Sequence, residues 1–446
     1  MNASENRLQQ FRALLADLHG KLELRFGFRL WDRSFVPADW PRDALAIAIA
    51  DEGAVAGLIR APKLTTLANL WAAGRLDIIN GDIFGLVAAR PKGRTKQIVR
   101  QINKWAALKT ATRFLLTPRG EPWPLEAIDK DHESDGTAGE NKKNIAYHYD
   151  VSNAFYQLWL DTEMVYTCAY FHDWSDDLDT VQKQKLAIVC RKLRLKPGDY
   201  MLDMGCGWGA LSCHAAEHYG VRAYGVTLSE QQVAYANEKI KRLGLQDRVT
   251  IELKDYALVE GHERFDKVAA IGMLEHVGIK NFPTYFSTVN RVLKRGGLFL
   301  HHAITRPGKS AAARGGKKRP EFAALTRYIF PGGELDHLGR TISILELHGF
   351  EIHDVEGWRE HYQRTCRFWH DRLAARYEEA CKEVGEVTTR VWLAYLAACS
   401  IVFQRNNGGL YQTLASKRIK GPAGLPPTRE ALYSPTRPCG EGQSKD

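Results

Sequence analysis

The stretch LDMGCGWGALS, Leu202 to Ser212, reads as a buried strand that runs through a glycine-rich turn into a helix. Asp203, Gly205, Gly207 and Gly209 fall in the spacing D-x-G-x-G-x-G. Glycine serves there because the turn is tight and the backbone must come close to a ligand. The pyrophosphate-binding fingerprint has a different spacing, G-x-G-x-x-G. A carboxylate ahead of the glycines suits the amino group of a bound amino acid, which points to S-adenosylmethionine rather than NAD. Taken alone, the turn also fits plain tight packing of a strand against a helix, and the flanking chain has to separate the two.

Downstream the chain keeps a strand–helix rhythm. VRAYGVTLS (221–229) reads as a second strand and QQVAYANEKIKRLG (231–244) as its helix, ended by Gly244. VTIELKDY (249–256), FDKVAAIGMLEHVG (265–278) and GGLFLHHAIT (296–305) supply three more strands, the fourth with its loop. Strands alternating with helices imply an α/β fold, Rossmann-like, with a mostly parallel sheet and ligands at the carboxyl ends of its strands.

With 446 residues the chain is long enough for two domains. Its formal net charge of +10 favours anionic partners, either nucleic acid or a phospholipid surface. The eight cysteines show neither a CxxC pair nor a zinc-like ladder, which fits a reduced cytosolic interior. Met1 to Gly20 is polar and broken by charges, unlike a secretory leader. No run reaches the roughly 18 apolar residues that cross a bilayer. VWLAYLAACSIVF (391–403) comes nearest and reads as a buried helix.

A smaller N-terminal α/β module is expected over residues 1–119, with strands in FGFRLWD (26–32) and ALAIAIAD (44–51) and a helix in KLTTLANLWAAG (63–74). Between Asp82 and Glu121 there is no acidic residue, yet there are nine basic ones. Within that segment Ile98, Ile102, Trp105, Leu108 and Leu115 recur near helical spacing, as in a basic helix that meets an anionic membrane or one that packs on its own domain. Residues 120–143 read as a flexible linker and 144–446 as the second domain.

Residues with chemistry cluster at the strand ends. Cys168 sits in MVYTCAYF (164–171) with no cationic residue adjoining it in the chain, so a backbone or structural role is favoured over a nucleophile. Glu275 and His276 follow the fourth strand, where they read as a loop carboxylate and a solvated histidine. His301 and His302 occupy the fifth, and period two sends them to opposite faces. One of the two can face the cleft. No tight ligand spacing supports a metal at Glu275, His276, His301 and His302, and none is expected.

In order along the chain, YHYD (147–150), YTCAY (166–170), DMGCGWG, GVTLSEQQ (225–232), GMLEHVG (272–278), FLHHAIT and HYQRT (361–365) resemble the cyclopropane-fatty-acyl-phospholipid synthase family, whose relatives include the mycolic acid cyclopropane synthases. The similarity spans roughly Asn144 to Gln412. GRLDIINGD (74–82) also resembles the extra N-terminal domain of full-length members.

The resemblance implies that Tyr166, Thr167, Asp203, Gly205, Gly207, Gly209, Thr227, Leu228, Gln232, Asp255 and Tyr256 bind S-adenosylmethionine. It implies a bicarbonate ion as base, held by Cys168, Glu275, His302, Ile304 and Tyr362, with Cys168 and Ile304 acting through backbone groups. A second cysteine, named as active in relatives, falls at Cys399, in an apolar helix with no base nearby.

The chemistry fits those groups. An alkene is a weak nucleophile, so alignment with the sulfonium methyl is the main task of the site. The resulting acyl carbocation needs a dry pocket, and aromatic faces such as Tyr147, Tyr170, Phe171, Tyr328 and Tyr362 are candidates to stabilise it.

The expected function is methylene transfer to cis double bonds of phospholipid acyl chains, giving cyclopropane fatty acids. The rivals are a methyl-branching or methylated-alkene-forming acyl methyltransferase and, from another class, a nucleic-acid methyltransferase. No nucleic-acid partner is expected, because flipped bases commonly need a polar pocket. The basic helix and the Lys317-Lys318-Arg319 cluster point to an anionic membrane surface. They lead to an expectation of a cytoplasmic protein on the inner face of the membrane, with a homodimer left open.

Overall fold

A computed structural model of the chain describes residues 3–91, 104–125, 151–308 and 334–433. These fall into two compact units. One gathers the described residues up to 125 together with Leu373–Ile401, and the other gathers the rest. The division expected between 119 and 144 therefore leaves Leu373–Ile401 on the side of the first unit. The YHYD stretch with Tyr147, the Lys317-Lys318-Arg319 cluster, Tyr328, and Ile98 and Ile102 of the basic segment lie outside the described residues.

In the first unit β1 (Gly27–Arg29), β2 (Phe35–Val36), β3 (Ala46–Ile49) and β4 (Leu76–Ile79) form a sheet in the order β2-β1-β3-β4. The anticipated helix is present as Leu64–Ala72. The opening segment, whose polarity hid any periodicity, is a helix from Ala3 to Leu22. Its apolar stripe is narrow: Leu15 is buried, and Leu8 and Phe11 pack beside it.

The expected linker starts later than residue 120, because Trp123 is buried in this unit's core, flanked by Arg75 and Arg119. Gly57 makes room for the indole: a Cβ there would sit 2.5 Å from the Trp123 ring. The apolar run near the C-terminus forms part of a helix, Glu386–Gln404, long and apolar enough by length and composition to cross a membrane. It is tied down within the unit. Arg390 Nε donates to the Trp71 carbonyl at 2.7 Å, and Trp71 Nε1 donates to the Arg390 carbonyl at 2.8 Å.

The second unit is built on seven strands: β5 (Tyr200–Met204), β6 (Arg222–Thr227), β7 (Val249–Leu253), β8 (Phe265–Ile271), β9 (Leu293–Thr305), β10 (Phe350–Gly357) and β11 (Gly409–Lys417). Their order is β10-β11-β9-β8-β5-β6-β7. The five expected strands, β5 to β9, pair in parallel, and β11 enters antiparallel between β9 and β10. The inner parallel strands are buried on both faces because helices cover both, whereas the edge strand β7 leaves Thr250 and Leu253 exposed. Met201, Ala223, Ala269 and Leu300 pack on one side, with Val189 and Leu193 of the helix Leu178–Leu193 and Leu211 of the helix Ala210–Tyr219. Leu202, Val268 and Phe299 pack on the other, against Phe286 and Val289 of the helix Phe282–Val292.

The strand order reverses at β5, with β6 on one side and β8 on the other. In open α/β sheets that reversal opens a crevice at the carboxyl ends of the strands. Gly205, Gly207 and Gly209 turn the chain there with φ of +77°, +53° and +79°, backbone that only glycine adopts freely. The Gly205 and Cys206 N–H groups both donate to the Val226 carbonyl, which pins the turn to β6.

Candidate active site

Two cavities open at the carboxyl end of β5 and share Gly205, Gly207, Gln232 and Gly272, so they form one cleft over the glycine turn. One half is lined by Thr227, Leu228, Asp255 and Tyr256, the other by Tyr166, Thr167 and Asp203. Ten of the eleven anticipated ligand-binding residues therefore line this cleft. Gly209 stands behind it, at the start of the helix Ala210–Tyr219, against Ile251 and Ala236.

Local chemistry holds each of these groups in place. Ser212 Oγ donates to Asp203 Oδ2 at 2.9 Å, while burial pushes the Asp203 carboxyl up to about 6. Thr227 Oγ1 donates to Gln232 Oε1 at 2.5 Å, fixing the amide across the turn into the helix Glu230–Arg242. Asp255 accepts from the Ala257 N–H at 2.8 Å, which orients the Tyr256 turn. Tyr166 packs in tilted and edge-on contacts against Tyr156, Trp159 and Trp369 with centroids 5.1–5.6 Å apart, and Trp208 closes on Tyr156 at 4.9 Å. Half of the cleft thus has an aromatic wall. His276, expected in solvent, is only partly exposed and lines the other half.

A second group of residues assembles beside the first. Glu275 follows β8 and is buried. Its Oε1 accepts the Ile304 N–H at 2.6 Å, and burial raises its carboxyl to about 7. The Ile304 N–H anticipated as a direct ligand is thus already committed to Glu275. Period two places His302 on the side of Asp203 and sends His301 into the opposite core, where it meets Phe286 and Tyr285. Burial, then the cations Lys185 and Lys192, holds His302 neutral.

The Trp358 ring stands 5.2 Å from that of His302, and Tyr362 N donates back to the Trp358 carbonyl at 3.0 Å, which places Tyr362 one turn along the same helix start. Cys168 lies beneath: its Sγ donates to the Ala169 carbonyl at 3.2 Å and approaches the Trp358 carbonyl at 3.9 Å. Glu275 Oε2, both His302 nitrogens, Trp358 Nε1 and Gln412 Nε2 are buried without a hydrogen-bond partner among the described residues. Gln412 faces His302 across the β9–β11 ladder, so donors dominate this pocket.

Several residues here went unnoticed in the sequence. Gln182, Lys185 and Lys192 come from one helix: Gln182 Nε2 donates to the Thr167 carbonyl, Lys185 Nζ to Thr167 Oγ1, and Lys192 Nζ to Gln412 Oε1. Cys168 has no cation beside it in the chain, but Lys185 acts on it through space. Burial outweighs that pull and lifts the thiol well above its ordinary range, so the sulfur stays a thiol.

The chain matches the family model described as mycolic acid cyclopropane synthetase over residues 137–413. The chain belongs to the mycolic acid cyclopropane synthetase family. A probable fatty acid methyltransferase of Pseudomonas putida is 36% identical, covering 96% of this chain and all of that protein. The cyclopropane-fatty-acyl-phospholipid synthase of Escherichia coli is also 36% identical, over 61% of this chain and 67% of its own. The solved mycolic acid cyclopropane synthase CmaA1, complexed with SAH and CTAB, covers 62% of this chain and 98% of its own at a TM-score of 0.58 and 29% identity. The second unit thus has the class I methyltransferase fold.

Cys399 lies in the helix Glu386–Gln404, in the part assigned to the first unit, and burial raises its thiol to about 12. A thiol so rarely ionised is a poor nucleophile. Cys399→Ser is expected to keep turnover within about twofold of the parent in a radiolabelled methyl-transfer assay, since no bond-making role is lost. A loss of 100-fold or more with the fold intact would return Cys399 to the chemistry.

Proposed function

We propose that the chain uses S-adenosylmethionine to methylenate cis double bonds in phospholipid acyl chains, closing a cyclopropane ring. The observation that carries this reading is the adjacency of the two residue groups: a cleft suited to an amino-acid-bearing nucleoside, and next to it the buried, unpaired polar atoms of Glu275 and His302. The family and the relatives above support acyl-chain methylation in general. Those unpaired polar atoms argue for ring closure in particular.

In the reaction the alkene π pair forms a bond to the methyl carbon as the carbon–sulfur pair leaves with sulfur. The other alkene carbon becomes cationic. Loss of a proton from the new methyl supplies the pair that closes the ring. The aromatic surroundings of Tyr166, and Tyr170 stacked on His361 at 4.8 Å, keep water away from such a cation.

The orphaned polar atoms fit a small planar anion with several acceptor oxygens, as expected for bicarbonate. His302, Trp358 and Gln412 offer nitrogens, while Glu275 Oε2 remains to accept an O–H. When bound, bicarbonate would supply the base for the methyl proton. Glu275 then orients it while holding the β9 backbone at Ile304.

The substrate chain has to come from a bilayer. On the helix Lys104–Phe114, Phe114 is buried in the first unit's core, whereas Trp105 is 81% and Leu108 55% exposed, and Leu116 just beyond is 94% exposed. Lys104, Lys109 and Arg113 surround them. We infer that this helix docks on anionic lipid at the inner face of the membrane. Affinity for vesicles containing phosphatidylglycerol should fall roughly tenfold or more as salt rises from about 0.05 to 0.5 M. Salt-insensitive binding would contradict the docking.

Mass spectrometry of fatty acids from an expressing host tests the reaction. A gain of one CH2 per unsaturated chain, with the double bond gone and the product abolished by Glu275→Gln, is the expected result. A CH2 gained with the double bond kept, or with two further hydrogens, would move the chain to the methyl-branching or methylated-alkene reading.

A further inference from the structure

Among the described residues Lys185, at the cleft, forms no ion pair within 4.0 Å. Its side chain is buried, and it lines the half of the cleft that also holds Thr167 and Asp203. Its one hydrogen-bond acceptor among the described residues is the neutral Thr167 Oγ1, at 2.9 Å. An ammonium has three donors, and leaving a buried charge short of partners is costly.

The two nearby carboxylates are engaged elsewhere. Asp161 accepts the Val165 and Glu163 N–H groups at 3.0 Å each, shaping the turn that carries Tyr166 and Thr167. Asp203 Oδ2 is held by Ser212. Neither makes an ion pair with Lys185 within 4.0 Å. Burial lowers the ammonium to about 8, and Asp161 works most strongly against that fall, so the group keeps its charge at neutral pH.

We propose that Lys185, steadied by Thr167, is the counter-ion for the carboxylate of the amino-acid end of S-adenosylmethionine, opposite Asp203 as the partner of its ammonium. This deepens the cosubstrate reading given above and rests on it. A zwitterion brings one anion and one cation, and this end of the cleft offers one buried group of each opposite sign. Thr167 adjoins Cys168, so the pairing also ties the amino-acid end of the ligand to the pocket of Glu275 and His302. It makes Lys185 a residue that sets where the sulfonium methyl lies.

Decarboxylated S-adenosylmethionine keeps the adenosine, the sulfonium and the amine and lacks only the carboxylate, so calorimetric titration with both compounds isolates the pairing. The full-length protein should bind S-adenosylmethionine about tenfold or more tightly than the decarboxylated compound. In Lys185→Met the affinity for S-adenosylmethionine should fall by a similar factor while that for the decarboxylated compound stays within about twofold, erasing the preference. Lys185→Arg, which keeps the charge, should restore part of it.

Equal weakening of both ligands in Lys185→Met would overturn the proposal in favour of a merely structural lysine. Equal binding of both ligands by the parent protein would overturn it without any variant. If neither compound binds the parent, the cosubstrate reading itself falls and takes the proposal with it.

Discussion

The site depends on three long polar side chains that one helix presses into the sheet. Leu178–Leu193 lies on the face that carries Asp203 and His302, and its buried stripe includes Gln182, Lys185 and Lys192 among Val181, Leu186, Val189 and Leu193. Burying two ammonium groups is unfavourable unless each finds a partner. Gln182 and Lys185 both reach Thr167, and Lys192 reaches Gln412 and Glu356 beneath Trp358. The same helix therefore fixes the loop of Tyr166 to Cys168 at one end and the surroundings of His302 at the other. Its net cost is offset by the apolar packing of its neighbours on that stripe.

A second constraint is the commitment of Glu275. A carboxyl raised to about 7 by burial and bonded through one oxygen to the Ile304 N–H acts as a strut. It ties the turn after β8 to the end of β9, two residues from His302. The second oxygen is buried without a hydrogen-bond partner among the described residues. Gly272 reinforces this arrangement by donating to the His302 carbonyl at 2.9 Å.

The parallel strands β5 to β9 were legible because each carries a short apolar or alternating run bounded by glycine or a charge, and the glycine turn was legible from spacing alone. β10 and β11 were not: EIHDVE and YQTLASK alternate polar and apolar residues weakly, and only the pairing of β11 with β9, and of β10 with β11, makes them strands. The residues that line the cleft were identifiable from motifs, yet those that support it from behind were not. Lys185 and Lys192 go unremarked until their positions are set against Leu178, Val181 and Val189, whose helical period places both lysines inward. Trp123 shows the same limit, since a polar neighbourhood concealed a core residue. Conversely, the choice between His301 and His302 needed only the sheet, because period two had already separated them.

The account stands on ring closure through loss of a proton from the transferred methyl. The most direct measurement incubates the purified protein with S-adenosylmethionine carrying a trideuterated methyl and vesicles of a monounsaturated phospholipid, then counts deuterium in the product acyl chain. Retention of two deuterium atoms, with the double bond gone, is the predicted result. Three retained deuterium atoms, or a double bond that survives the transfer, would contradict it.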